Sequence, residues 1–158
     1  SWPWVPESIA LAHEQGNTYS IKKVVQFLRN KSISTSIIQN NLIKELPSSI
    51  TLLHCNWIPN KKWPISQQVW NIGYHMLSNT SNISIPTTIN DIIFPTQIPP
   101  ISVKRAVKWL NINIVYEIWC LYTSSKWGNN IIKNFNITTL VTHQLNRELN
   151  VLKQIPHA

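Results

Sequence analysis

The chain has 158 residues, 43% of them hydrophobic but only 13% charged, with 14 Lys and Arg against six acids for a formal net charge of +8. That length suits one domain whose core needs neither metal nor disulfide. Six acids standing singly and three glycines in all exclude the clustered carboxylates of two-metal phosphoryl transfer and a glycine-rich phosphate cradle.

In chain order, "SWPWVPES" reads as an extended arm over residues 1–8, because a residue before proline is pushed away from helix. Ile9, Ala10 and Ala12 then suggest a short helix from Glu7 to Gly16. Ser20 is placed to cap a helix over 20–31, in which Ile21, Val24, Val25 and Leu28 recur at helical spacing while Lys22, Lys23, Arg29 and Lys31 face elsewhere. Residues 34–46 carry Ile37, Ile38, Leu42 and Leu46 on one side, and Pro47 stops that helix. A loop over 47–65 holds "LLHCNWIPNKKWP". Ser66 then opens "SQQVWNIGYHML", where Val69, Trp70, Gly73, Met76 and Leu77 share a face that makes Trp70 a core residue. Residues 78–86 are a Ser- and Asn-rich loop expected to be solvated, and Thr87 or Thr88 caps a short helix at "INDIIF" before the prolines at 95, 99 and 100.

The longest periodic run lies between Ser102 and the stop at Gly128, with Val103, Val107, Leu110, Ile114, Ile118 and Leu121 on one face. Its middle, "LNINIVYEIW", alternates well enough for a strand, but the helical spacing holds on both sides of it and favours helix. A last helix spans 138–154 on Val141, Leu145, Leu149 and Leu152. The expectation is all-α: a single domain over 1–158, an irregular array of six or seven helices with proline-rich connections. No apolar run reaches the roughly 18 residues of a membrane span, and Ser1 in place of Met reads as a fragment or processed product. Four Asn-x-Ser/Thr sequons, at Asn30, Asn79, Asn82 and Asn136, are what this Asn and Ser/Thr content gives by chance.

Chemistry is sparse. Cys55 and Cys120 lie far apart with no CxxC, and the adjacent His54 and Cys55 lack a partner at ligand spacing, so neither a metal nor a cofactor is expected. Both thiols read as buried. His75 and His143 read as core or boundary histidines, and Glu117 as an amphipathic side chain reaching solvent. No GxSxG or HExxH occurs, and no catalytic residue is assigned.

The basic groups point to a polyanion, RNA or DNA. Lys61, Lys62 and Trp63 form a loop where two ammonium groups could meet phosphates and a ring could stack on a base; the plainer reading makes Trp63 a hydrophobic staple at the helix start. Lys104, Arg105 and Lys108 project from one flank of the long helix, and Lys22 and Lys23 extend that stripe if the two helices are neighbours. The alternatives are charge serving only solubility, and an AT-rich genome inflating Ile, Asn and Lys. A second functional class also fits low charge and eight tryptophans: a structural or adaptor subunit held by protein partners through Trp/Ile-rich surfaces.

The succession "LLHC", "SQQVWNIGYHML", a Ser/Asn/Thr-rich spacer, "INDIIF", a proline break and a helix ending "VYEIWCLYTSSKWGNN" resembles the region after the polymerase core in LINE-type (non-LTR) retrotransposon reverse transcriptases. The resemblance spans Leu52 to Asn130. That region carries a zinc-binding segment, of which only Cys55 matches the final Cys here; Ile50 and Thr51 stand where a His is expected. The gap from Cys55 to Trp70 is also longer than in the family. The resemblance implies a degenerate metal site and an accessory helical domain handling element RNA or target DNA inside the cell, in the nucleus, with polymerase chemistry located elsewhere.

Overall fold

A computed structural model describes residues 6–9, 11, 18–29, 31, 64–77, 83–93, 101–127 and 134–155. Among them the chain is helical with no strand: α1 (Thr18–Leu28), α2 (Pro64–Tyr74) continued by a 3₁₀ turn (His75–Leu77), α3 (Ile89–Ile93), α4 (Ile101–Trp127) and α5 (Asn134–Gln154). The ambiguous "LNINIVYEIW" is the middle of α4.

Periodicity explains the architecture. At 3.6 residues per turn, the buried positions of α4, from Val103 through Ala106, Val107, Trp109, Leu110, Asn111, Ile114 and Ile118 to Leu121, cover an arc of about 200°. A surface helix needs only about half of that. α4 is accordingly the central element and packs against each of the other four α-helices, while α5 also meets α1 and α2. From α5 come Val141, Leu145, Leu149 and Leu152, and from α2 come Val69 and Trp70, all interior.

The closest approach explains Gly73. A Cβ there would run into Ile114 of α4, meeting its Cδ1 and lying 2.6 Å from its Cγ1, with Leu145 of α5 at 3.5 Å. Glycine lets three helices meet at one point. Beside it Tyr74 donates a hydrogen bond to Asn111 Oδ1 (2.6 Å), and Asn111 Nδ2 donates to the Ile92 carbonyl (3.2 Å), a group at the end of α3 with no partner in its own helix. Asn111 thus joins α2, α3 and α4 through satisfied interior bonds.

Several boundaries differ from those the residues suggest. α1 begins two residues before Ser20 and ends at Leu28 rather than 31. α2 begins at Pro64, not Ser66: proline has its φ preset for a helix and lacks an N–H that the first turn could not use. Ser66 is inside, fully buried. Thr88 is the cap of α3, its Oγ1 accepting the Asp91 N–H at 3.1 Å. The connection at 83–86 is not solvated throughout, since Pro86 is buried and Ile83 and Ile85 pack on the core. α5 starts at Asn134, four residues early. Residues 7–9 and 11 turn with left-handed φ values of 38° at Ser8, 55° at Ile9 and 53° at Leu11, neither an extended arm nor an ordinary helix. The helix expected over 34–46 lies outside the described residues.

Candidate nucleic-acid interface

The outward side of α4 is built from the residues its 200° core arc leaves over. Lys104, Ile112, Val115, Tyr116 and Trp119 are half-buried, Val115 and Trp119 with one side packed against the core, and Arg105 and Lys108 are exposed. At 100° per residue these seven fall within about 120° of the helix surface, and at 1.5 Å per residue they extend over roughly 22 Å. The order along the axis is three cations, two aliphatic side chains, then two aromatic ones. Among the described residues no acid lies on this flank, and none occupies the first turn, where a carboxylate would offset the positive end of the helix dipole.

α1 packs against α4, which settles the neighbourhood the sequence leaves open. Its interior residues are Val24 and Leu28; Lys22, Lys23, Gln26 and Arg29 are exposed on the opposite side. Lys31 is half-buried, its Nζ 5.3 Å from the centre of the Phe27 ring. The structure therefore brings onto adjoining helices five of the eight candidate residues: Lys22, Lys23, Lys104, Arg105 and Lys108. The other three, Lys61, Lys62 and Trp63, lie outside the described residues, as do His54 and Cys55.

The acids take the opposite course. Glu117 is not a solvent-reaching side chain: it is 5% exposed, and Glu148 of α5 is 4% exposed. Burial, then the neighbouring Glu148, pushes the Glu117 carboxyl from its ordinary 4.5 up to about 7. Glu148 is also raised, by burial first, against the opposing hydrogen bond from the Ser8 N–H. Two of the six acids are thus withdrawn from the surface, and near neutrality one is about half protonated, so the formal +8 understates the outward charge.

Next to this pair Cys120 is half-buried rather than fully enclosed. Its thiol is raised by burial although the Tyr116 hydroxyl bonds to it, and Tyr116 is pushed up to about 12, by burial first and then by Cys120. A thiol held protonated this way is a poor nucleophile. Among the described residues no group of three His, Cys, Asp or Glu could hold a metal ion, and no helix is long and apolar enough to cross a membrane. His75 and His143 are exposed, not core or boundary histidines.

No family model, curated protein or solved structure matches the chain.

Sequence reasoning missed two features on or near α4. Tyr116 and Trp119 continue the cationic flank beyond Lys108, through Ile112, at helical spacing; that signal is present in the sequence. The Glu117–Glu148 pairing has only half a signal: each acid keeps the core period of its own helix, and nothing in a sequence says that the two meet.

Proposed function

We propose that the chain is a non-catalytic, nucleic-acid-binding helical domain whose contact surface is the outward flank of α4 together with the exposed face of α1. The observation that carries this reading is the sorting of charge on one helix. α4 turns Glu117 into the core and Lys104, Arg105 and Lys108 away from it, leaving a cationic surface with no acid interleaved. Phosphates meet the cations, and Tyr116 and Trp119 farther along the same flank offer rings on which unpaired bases can stack.

The resemblance to LINE-type reverse transcriptases supplies a setting for such a surface: an accessory domain on element RNA or target DNA, with polymerase chemistry carried by another part. Lys61, Lys62 and Trp63 belong to the same reading as a second contact. The adaptor alternative draws less support, because Trp70 and Trp109 are interior and the exposed large hydrophobics among the described residues are Leu11 (41%) and Leu140 (46%), not a Trp/Ile surface.

Titration of a labelled single-stranded RNA with the purified chain at low and at raised salt tests the proposal. Binding that weakens steeply with salt is expected, since each neutralised phosphate releases counterions. Absence of binding at low salt, or binding indifferent to salt, overturns it.

A further inference from the structure

The N-terminal segment is fastened to the far end of the chain at one place. The Ser8 backbone N–H donates to Glu148 Oε1, and the Ser8 hydroxyl donates to the Glu148 carbonyl at 2.5 Å, across 140 residues of sequence. Pro6 and Ser8 are buried and Ile9 packs on the core. The acceptor of the first bond is one member of the buried carboxylate pair. Docking of the segment and ionisation of the pair therefore meet at one carboxylate, that of Glu148.

We propose that docking of this N-terminal segment is proton-linked: it is held while Glu117 and Glu148 keep one proton between them, and it is released when both carboxylates ionise.

Three observations carry the proposal. First, the Ser8 N–H favours a charged Glu148, so the shared proton resides on Glu117, and the segment then serves as partner to the single buried charge. A second charge on Glu117 would add to the first, and among the described residues Arg147 is the cation that bears on Glu148. Second, the segment brings a carboxylate of its own. Glu7 is exposed, but its charge bears on Glu148, so a docked segment adds a third negative group as the pair ionises. Third, the segment is docked in a costly conformation, with left-handed φ at Ser8, Leu11 and the β-branched Ile9. Release relieves that strain and frees the Glu148 carboxylate, which the Ser8 N–H holds in place, to move away from an ionised Glu117.

Among the described residues, the other groups bearing on the pair are Tyr116 from α4 and Arg147 from α5, with Cys120 beside Glu117. Arg147 alone favours the charged state, and it is exposed on the outer side of α5. No charged group of α1 or α2, the other helices packed on α5, is among them. Burial pushes Glu117 up to about 7, which puts the change near neutrality; because its ionisation sets a second charge against the Glu148 carboxylate that docking holds in place, the segment is docked in acid and released in base.

Amide hydrogen exchange of the full chain, read by mass spectrometry and divided by the intrinsic exchange rate at each pH, tests this. Between about pH 5.5 and about pH 8.5 the protection of a peptide covering residues 6–11 should fall about tenfold, as loss of one linked proton allows, while peptides of α2 and α4 keep theirs. In Glu117→Gln the protection should stay at its acid level throughout. Glu148→Gln, which keeps an oxygen for the Ser8 N–H, should be equally flat and serves if the first variant does not fold. Flat protection in the wild-type chain overturns the proposal. So does a variant that keeps the wild-type fall, or a loss of protection in α2 and α4 that parallels the segment's.

Discussion

The two sides of α4 follow opposite rules. On the inward side, Ile114 and Glu117 stand one turn apart; the first meets the helix crossing at Gly73 and the second faces Glu148. On the outward side Lys104, Arg105 and Lys108 keep their charge in or near water. Exposed cations are inexpensive to hold and contribute little to stability, whereas a buried acid must give up its hydration and retains a proton instead. The outward charge excess of this chain thus has two sources, its composition and the withdrawal of Glu117 and Glu148 into the core.

The inward side can be broken most severely at Trp70, the largest of the fully buried side chains. Trp70→Ala should cost about 3–5 kcal/mol, read as a fall in the midpoint of urea unfolding. A change within experimental error would show that α2 is not seated as described.

Next in size is the proton on Glu117. Burial holds its folded value near 7 against an ordinary 4.5, so the folded chain binds a proton that the unfolded chain has lost. The stability this contributes is complete below the unfolded value and disappears as pH rises through about 7. The interval corresponds to at most about 3 kcal/mol. Glu117→Gln, permanently neutral, should therefore be more stable than wild type at about pH 8 by 1–3 kcal/mol and should lose that advantage in acid. Denaturant midpoints measured across this range check it, and identical pH profiles for the two chains would contradict a buried, proton-holding Glu117.

A smaller effect belongs to the crossing itself. Gly73→Ala improves helix propensity by about 1 kcal/mol, yet the added methyl meets Ile114, and overpacking a core typically costs about 1–3 kcal/mol. Net destabilisation by about 1 kcal/mol is expected in thermal or urea unfolding; a gain in stability would mean that Ile114 rearranges without penalty.

The smallest change sharpens the polar side of the account. Thr142 is buried on α5 with a hydroxyl that has no hydrogen-bond partner among the described residues. Replacing it by the isosteric Val should stabilise the chain by about 0.5–1 kcal/mol, and a loss of stability would reveal a partner for that oxygen.

How far the residues foretell this arrangement varies with what each feature depends on. The face Val103–Val107–Leu110–Ile114–Ile118–Leu121 is legible because burial on a helix repeats with the helix period, and the same holds for Trp70 and for the α5 leucines. Glu117 misleads for an instructive reason. It lies three residues after Ile114 and seven after Leu110, squarely in the core period, but a carboxylate's preference for water argues against that position. Positional period is the better guide there. His143 misleads in the other direction: its neighbours Val141 and Thr142 are interior, yet two residues past Val141 a helix has turned through about 200° and points outward. The contact between Ser8 and Glu148 has no sequence signal, since no local pattern joins residues so far apart. That α1 and α4 are neighbours is equally a tertiary fact, and the proposed contact surface depends on it.

Contact between the outward cations of α4 and phosphates, as proposed, is read most directly from the salt dependence of binding. For single strands the slope of log K against log salt is about −0.7 for each phosphate neutralised. Replacing Lys104, Arg105 and Lys108 together by Ala should make the slope shallower by about 2 while moving stability by less than about 0.5 kcal/mol, as surface changes usually do. An unchanged slope in a folded triple variant would contradict the account.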